Sequence, residues 1–288
     1  MSPRMAGVAL LVGAVLTANQ QKPDLDGVEI IREPIRGSVY LLKATGDVAG
    51  NVAALPSDRG TLLVDTQFAE LVPLLQQSLA EIDADEVALI INTHDHDDHA
   101  DGNAIFGPGA RIVGPSTSRL GSAGKAPRPT VIFDEDLTLY WGDEVVRLVH
   151  FPNAHTNSDV VAHFVHANVF HLGDLFNAGV ASFPSIDVER GGSLDGLLAA
   201  LAELLDLIPA DALVIPGHYE VSDRAGLRRT HRMIVETAAF VRSQIESGRS
   251  VEQAIELGLP APYDSWGETG YTSGSAWIEN LYEALDQD

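Results

Sequence analysis

Residues 90–103 read Ile-Ile-Asn-Thr-His-Asp-His-Asp-Asp-His-Ala-Asp-Gly-Asn, so three histidines and four aspartates directly follow an apolar run. Titratable groups at this density need something to offset their charge. Solvent over a polar surface loop is one answer, and a bound cation is a better one. His94 and His96, spaced i, i+2, point the same way along extended backbone and can share one ion. Asp98 and His99 can turn towards a second ion beside it. The chain has no cysteine, so its ligands come from His, Asp, Glu or water. That set favours zinc, iron or manganese.

The string H-x-H-x-D-H resembles the metallo-β-lactamase superfamily, and four further motifs extend the resemblance. Val64-Asp65-Thr66 matches the early Asp at a strand end. Pro152-Asn153-Ala154-His155-Thr156 follows a strand and supplies a further His. Leu172-Gly173-Asp174-Leu175-Phe176 supplies a carboxylate, and Ile215-Pro216-Gly217-His218 a last His. The five motifs run in the family's order from Asp65 to His218.

The resemblance implies an α/β (α+β) four-layer αββα sandwich. His94, His96 and His155 would hold a first metal, and Asp98, His99 and His218 a second. Asp174 would bridge them, and Asp65 would orient a ligand imidazole. Asp98 would also be catalytic, orienting the nucleophile or taking its proton. Two zinc ions per chain are expected, ahead of iron or manganese. Three neutral imidazoles leave the first ion Lewis acidic with a position open for water. Two ions about 3.5–4 Å apart would hold a bridging hydroxide and clamp the attacked and leaving atoms.

The superfamily shares a fold and not a substrate. Asp174 stands where one β-lactamase subclass has Cys, and in this it is similar to glyoxalase II and the lactonases. The stretch Phe183-Pro184-Ser185-Ile186-Asp187, running into Gly191-Gly192-Ser193-Leu194-Asp195-Gly196, resembles an exported bacterial branch labelled β-lactamase-like. The expectation is an exported di-zinc hydrolase opening a β-lactam. The alternative is an esterase, thioesterase or lactonase of the glyoxalase II kind at the same site. A non-hydrolytic metal-binding or di-iron redox protein, which would need a flavin partner, is the reading from another class.

The elements that must position these residues follow from pattern. Strands are expected at Val28–Ile31, Val39–Lys43, Asn51–Leu55, Thr61–Val64 and Val87–Ile91, the last a continuous apolar run typical of burial on both faces. Arg111–Val113, Val145–Phe151, the hairpin Asp159–Phe164 with Asn168–Leu172, and Ala212–Ile215 complete the set. Helical periodicity marks Phe68–Ile82 and Ser193–Leu207, the latter capped by Ser193, and most of the chain from Ser222 onward. One domain over residues 19–288, with a helical C-terminal segment, is the expected organisation. The segment Ser250–Leu257 could pair two copies into a homodimer.

Arg4 and the apolar stretch Met5–Ala18 read as a signal peptide over residues 1–18 and predict a periplasmic or secreted protein without stable membrane insertion. There are 41 acidic and 18 basic residues, a formal net charge of −23. Such a surface repels phosphate backbones, which argues against nucleic acid and for a small-molecule substrate. His150, His163, His166, His171 and His231 lie off the motifs and read as structural or surface residues. Asp95, Asp97 and Asp101 lie off the ligand pattern, with Asp97 facing water. Tyr219 is expected to pack rather than react. After the signal segment only Lys22, Lys43 and Lys125 remain. No motif contains a lysine for a substrate carboxylate, and the loops Ala44–Gly50 and Gly114–Pro129 are expected to line the site.

Overall fold

The structure is a computed structural model that describes residues 24–84, 86–121, 127–178, 182–268 and 272–286. The expected signal segment, Lys22 and Lys125 lie outside the described residues. Twelve described strands form two sheets. The first holds β1 (Ile30–Arg36), β2 (Val39–Ala44), β3 (Val52–Ser57), β4 (Gly60–Val64), β5 (Val87–Ile91), β6 (Arg111–Pro115) and β7 (Val131–Phe133), in that spatial order. It is antiparallel as far as β4 and parallel from β4 to β7. The second holds β8 (Asp136–Trp141), β9 (Glu144–Phe151), β10 (Asp159–Phe164), β11 (Val169–His171) and β12 (Leu213–Ile215). Here β11 and β12 are parallel and the other pairs antiparallel.

The helices are α1 (Val72–Ala80), α2 (Asp97–Ala100), α3 (Asn103–Phe106), α4 (Ser118–Gly121), α5 (Leu194–Leu207), α6 (Arg224–Glu246), α7 (Val251–Leu257) and α8 (Gly274–Asp286).

The four layers follow from strand alternation, because successive side chains leave a strand on opposite faces. Leu41, Leu62, Ile91, Val160 and Val169 point between the sheets and form one core with Leu148, Phe164 and Ile215. Their neighbours point outward. Leu42, Leu63 and Ile90 meet Leu71, Leu75 and Leu79 of α1 and the turn before it. On the other side Val161, Phe170 and Val214 meet Leu197 and Leu201 of α5, Leu227 and Val241 of α6, and Trp277 and Leu281 of α8. Apolar residues on both faces of a strand thus become three stacked cores, helix on sheet on sheet on helix.

Three details depart from the sequence reading. The helix expected over Phe68–Ile82 opens with a 3-10 turn at Ala69–Leu71 and becomes α-helical at Val72, with Pro73 inside its first turn, where a missing N–H costs nothing. Strands β7 and β8 were not expected. Both are edge strands, and β8 alternates between exposed and half-buried positions, so its apolar signal is diluted.

Candidate metal centre

Every expected ligand follows the carboxyl end of a strand, where open α/β sheets place their sites. Asp65 follows β4, and the segment from His94 to His99, a short loop running into α2, follows β5. His155 follows β9, Asp174 follows β11 and His218 follows β12. Asp65 has a positive φ of 68° and Tyr219 one of 73°. Such strain persists only where the surroundings impose it, and it clusters at functional sites. Close approach is imposed at Gly217, where a Cβ would lie 1.9 Å from Asp174 Oδ1, and at Gly50, where one would lie 2.4 Å from the His99 ring.

All seven expected ligands converge. In the first half of the site His94 Nε2 lies 2.9 Å and His155 Nε2 3.1 Å from His96 Nδ1. In the second, His218 Nε2 is 3.2 Å from Asp98 Oδ2 and 3.4 Å from His99 Nε2. Asp174 lies between the halves: Oδ1 is 3.3 Å from His99 Nε2, and Oδ2 is 3.8 Å from His155 Nε2. Donor atoms of His94, His96 and His155 all lie within 4.8 Å of one another, as do those of Asp98, His99 and His218.

The partners behind the ligands set which nitrogen faces the centre. His94 Nδ1 is 3.1 Å from Thr93 Oγ1, whose hydroxyl donates to Asp65 Oδ2 at 2.7 Å. His155 Nδ1 donates to the Ser185 carbonyl at 2.8 Å. His99 Nδ1 donates to Asp65 Oδ2 at 2.8 Å, and Asp65 Oδ1 also accepts the Thr93 N–H. His96 is reversed: its Nε2 donates to Asp187 Oδ2 at 2.9 Å, leaving Nδ1 for the centre. With the rear nitrogens protonated, bare lone pairs of the first three rings face one another at hydrogen-bond distance. That arrangement repels unless a cation sits among them.

Charge separates the halves. Burial drives His94 well below the ordinary imidazole range and takes His155 down to about 4, so both are neutral donors. Burial also opposes charge on His99 and His218, but the carboxylates of Asp98 and Asp174 outweigh it and raise both. Burial would raise Asp98 too, yet His99 and His218 hold it at about 2. Asp174 Oδ1 is buried without a hydrogen-bond donor. These residues fit divalent ions: three neutral imidazoles in one half, and a mixed set with an unsatisfied carboxylate oxygen in the other. Together they mark a metal site.

The site opens over His96 and Asp98, whose side chains are 21% and 24% exposed, while His99 is fully covered. Beside it lies a cavity of about 300 Å³ lined by Asp95, Thr117, Asn157, Ser158 and Arg190 among others. Of the two loops expected to line the site, the first places Gly50 against His99, and the second supplies Thr117 to the cavity wall. Lys43 is buried and paired with Glu220 and Asp47, so it is not an open anion site.

Asp97 is exposed, Asp95 accepts from Ser158 at 3.4 Å, and Asp101 accepts the Ala69 N–H. His163 stacks on Phe170. His171, expected to lie away from the motifs, instead sits fully buried beside them. Its Nε2 donates to the Asn51 carbonyl and its Nδ1 accepts the Gly173 N–H. Four residues behind the expected ligands escaped the sequence reading of the site: Thr93, Asp187, Asn51 and Asp159. The last is a buried carboxylate, raised well above its usual range by burial, that accepts both the N–H and the hydroxyl of Thr156 beside His155. The motif around Phe183–Asp187 was the one signal for Asp187.

No protein-family model matches the chain. It is 28% identical over 139 residues to a hydroxyacylglutathione hydrolase of Polaromonas sp., covering 46% of this chain and 49% of that protein. A hydroxyacylglutathione hydrolase of Synechococcus sp. is 31% identical over 147 residues, 49% of this chain and 55% of that one. The chain thus spans about half the length of the curated relatives it matches. Among solved structures, a metallo-beta-lactamase from Pontibacter korlensis superposes with a TM-score of 0.62 at 19% identity, covering 72% of this chain and 99% of that one. A stereoselective inverting sec-alkylsulfatase from Pseudomonas sp. gives 0.70 at 13% identity, with 89% and 50% covered. These two likenesses show a shared fold. The chain thus has the metallo-β-lactamase fold, with five motifs gathered at one edge of the sandwich and a sequence similarity to these hydrolases over about half their length.

Proposed function

We propose that the chain is a di-zinc hydrolase that cleaves an ester or thioester bond. The observation that carries this is the convergence of seven donors in two halves, with the carboxylate of Asp174 between them. His94, His96 and His155 would hold one ion, Asp98, His99 and His218 the other, and Asp174 both. Ions held there supply Lewis acidity, polarising a carbonyl and making water a stronger acid.

The chain's own groups do the rest. Asp98 stays ionised and partly exposed, so its free oxygen accepts the O–H of an attacking water and aims it. Asp65 and Thr93 lock the rings of His94 and His99 from behind. The covered face over His99 keeps bulk water out, and substrate enters over His96 and Asp98.

The ester and thioester reading ranks ahead of β-lactam opening. The curated relatives are named hydroxyacylglutathione hydrolases, whereas the likeness to β-lactamases is one of fold. Export to the periplasm or beyond belongs to the same proposal, and it is supported by Arg4 and the apolar residues 5–18. N-terminal sequencing of protein recovered from the producing cell checks it: an intact Met1 would refute export.

The catalytic test is a panel of thioester, ester, lactone and chromogenic cephalosporin substrates, run beside His96→Ala. Thioester or ester turnover above the variant's background is expected. Full activity in metal-free protein would overturn the di-zinc assignment. Cephalosporin turnover without thioester or ester turnover would reverse the substrate order.

A further inference from the structure

Asn51 immediately precedes β3 and is completely buried. Its N–H donates to the Gly217 carbonyl at 2.7 Å, and its side-chain amide donates to the Pro216 and Tyr219 carbonyls at 3.0 and 2.9 Å. Three hydrogen bonds from two of its groups thus grip the loop that carries His218. Its own carbonyl accepts from His171 Nε2 at 3.1 Å, and His171 Nδ1 accepts the Gly173 N–H at 3.2 Å, one residue before Asp174. The two contacts fix the neutral tautomer of His171. The preceding residue, Gly50, donates to the Asp98 carbonyl at 3.2 Å and lies against the His99 ring.

One residue pair therefore ties together the segments bearing Asp98, His99, His218 and Asp174, which come from both sheets. The rings of His94, His96 and His155 are held by Thr93, Asp187 and Ser185 instead. Asn51 is also a poor choice on packing grounds. Its Oδ1 is buried without a hydrogen-bond partner, a cost that an apolar residue would avoid. What the amide supplies is two donors aimed at two loop carbonyls.

We propose that Asn51, backed by His171, is a positioning residue that assembles the second metal subsite and leaves the first untouched. The proposal rests on the two-ion reading above. Groups behind metal ligands typically govern affinity by about 10–100-fold.

The test is a competitive titration of the metal-free full chain with Zn²⁺ or Co²⁺ against a chromophoric chelator. Wild type should take up two equivalents. Asn51→Ala should bind the first within about 3-fold of wild-type affinity and the second roughly 10–100-fold more weakly, with a Co²⁺ spectrum reduced to the first subsite's bands. Asn51→Asp, which keeps the shape but turns a second oxygen towards the loop carbonyls, should read the same way. It stands in if the alanine variant does not fold. Equal weakening of both equivalents would mean a general structural role and overturn the proposal, as would wild-type binding of both. A single equivalent in the wild type would bring down the two-ion reading itself, and that is visible before any variant is made.

Discussion

An imidazole has two nitrogens, and a ligand histidine is well aimed only when its rear nitrogen is committed elsewhere. His94 and His155 commit Nδ1 to neutral oxygens, whereas His96 commits Nε2 to a carboxylate. Burial works against charge on Asp187, but the hydrogen bond from His96 outweighs it and holds the group at about 2. Arg190 Nε, 3.9 Å from Asp187 Oδ2, adds to this. An ionised acceptor behind the ring makes Nδ1 a stronger donor and prevents the ring from flipping. Asp187→Ala should therefore loosen the first subsite by about 10–100-fold, and Asp187→Asn, which still offers an oxygen, by less. Equilibrium dialysis against graded chelator reads this directly. An alanine variant that retains metal like the wild type would show that the other two histidines fix the subsite unaided.

At the scale of elements, strand ends carry the proposed ligands and a helix start braces the loop before one of them. Ser193 is that brace. Its hydroxyl caps α5 by accepting the Gly196 N–H at 3.0 Å, and it donates to the Asn153 carbonyl at 2.8 Å. Its N–H reaches the Asn153 and Ala154 carbonyls, immediately before His155. Loss of such a cap costs about 1 kcal/mol, so Ser193→Ala should lower the unfolding free energy by about that amount in urea titrations with an unchanged m-value. No change would mean that water replaces the hydroxyl at both contacts. Helix α5 was legible from sequence because a capping Ser precedes a leucine-rich periodic run, and β5 because its apolar run is unbroken. The metal cluster was legible because its residue types are expensive to bury without a cation. Asp187 and His96 meet across 91 positions, and Asn51 meets Tyr219 across 168. Neither contact leaves a local period, so each becomes visible only once the sheets are stacked. His171 was opaque for a related reason: a histidine in a strand has no spacing signature, and its role depends on which loop packs over it.

At the scale of the whole molecule the dominant fact is charge. A formal −23 on 288 residues, with 41 acidic against 18 basic groups, means that most charge pairs repel. Attractive pairs exist, such as Arg32 with Glu81 and Lys43 with Glu220, and added salt weakens those. They are outnumbered, and surface pairs contribute little individually. Raising NaCl from about 0.01 M to 1 M shortens the screening length from about 30 Å to about 3 Å. The repulsion then fades across the surface while the three apolar cores are unaffected in kind. Self-repulsion destabilises the compact state, so the melting temperature of metal-free protein should rise over this range by several degrees. Sucrose at matched osmolality separates screening from solvent exclusion, because it strengthens burial without screening charge. A melting temperature that is flat or falling in NaCl would show that the attractive pairs outweigh the excess of like charge. An equal rise in sucrose would show that screening is not the cause.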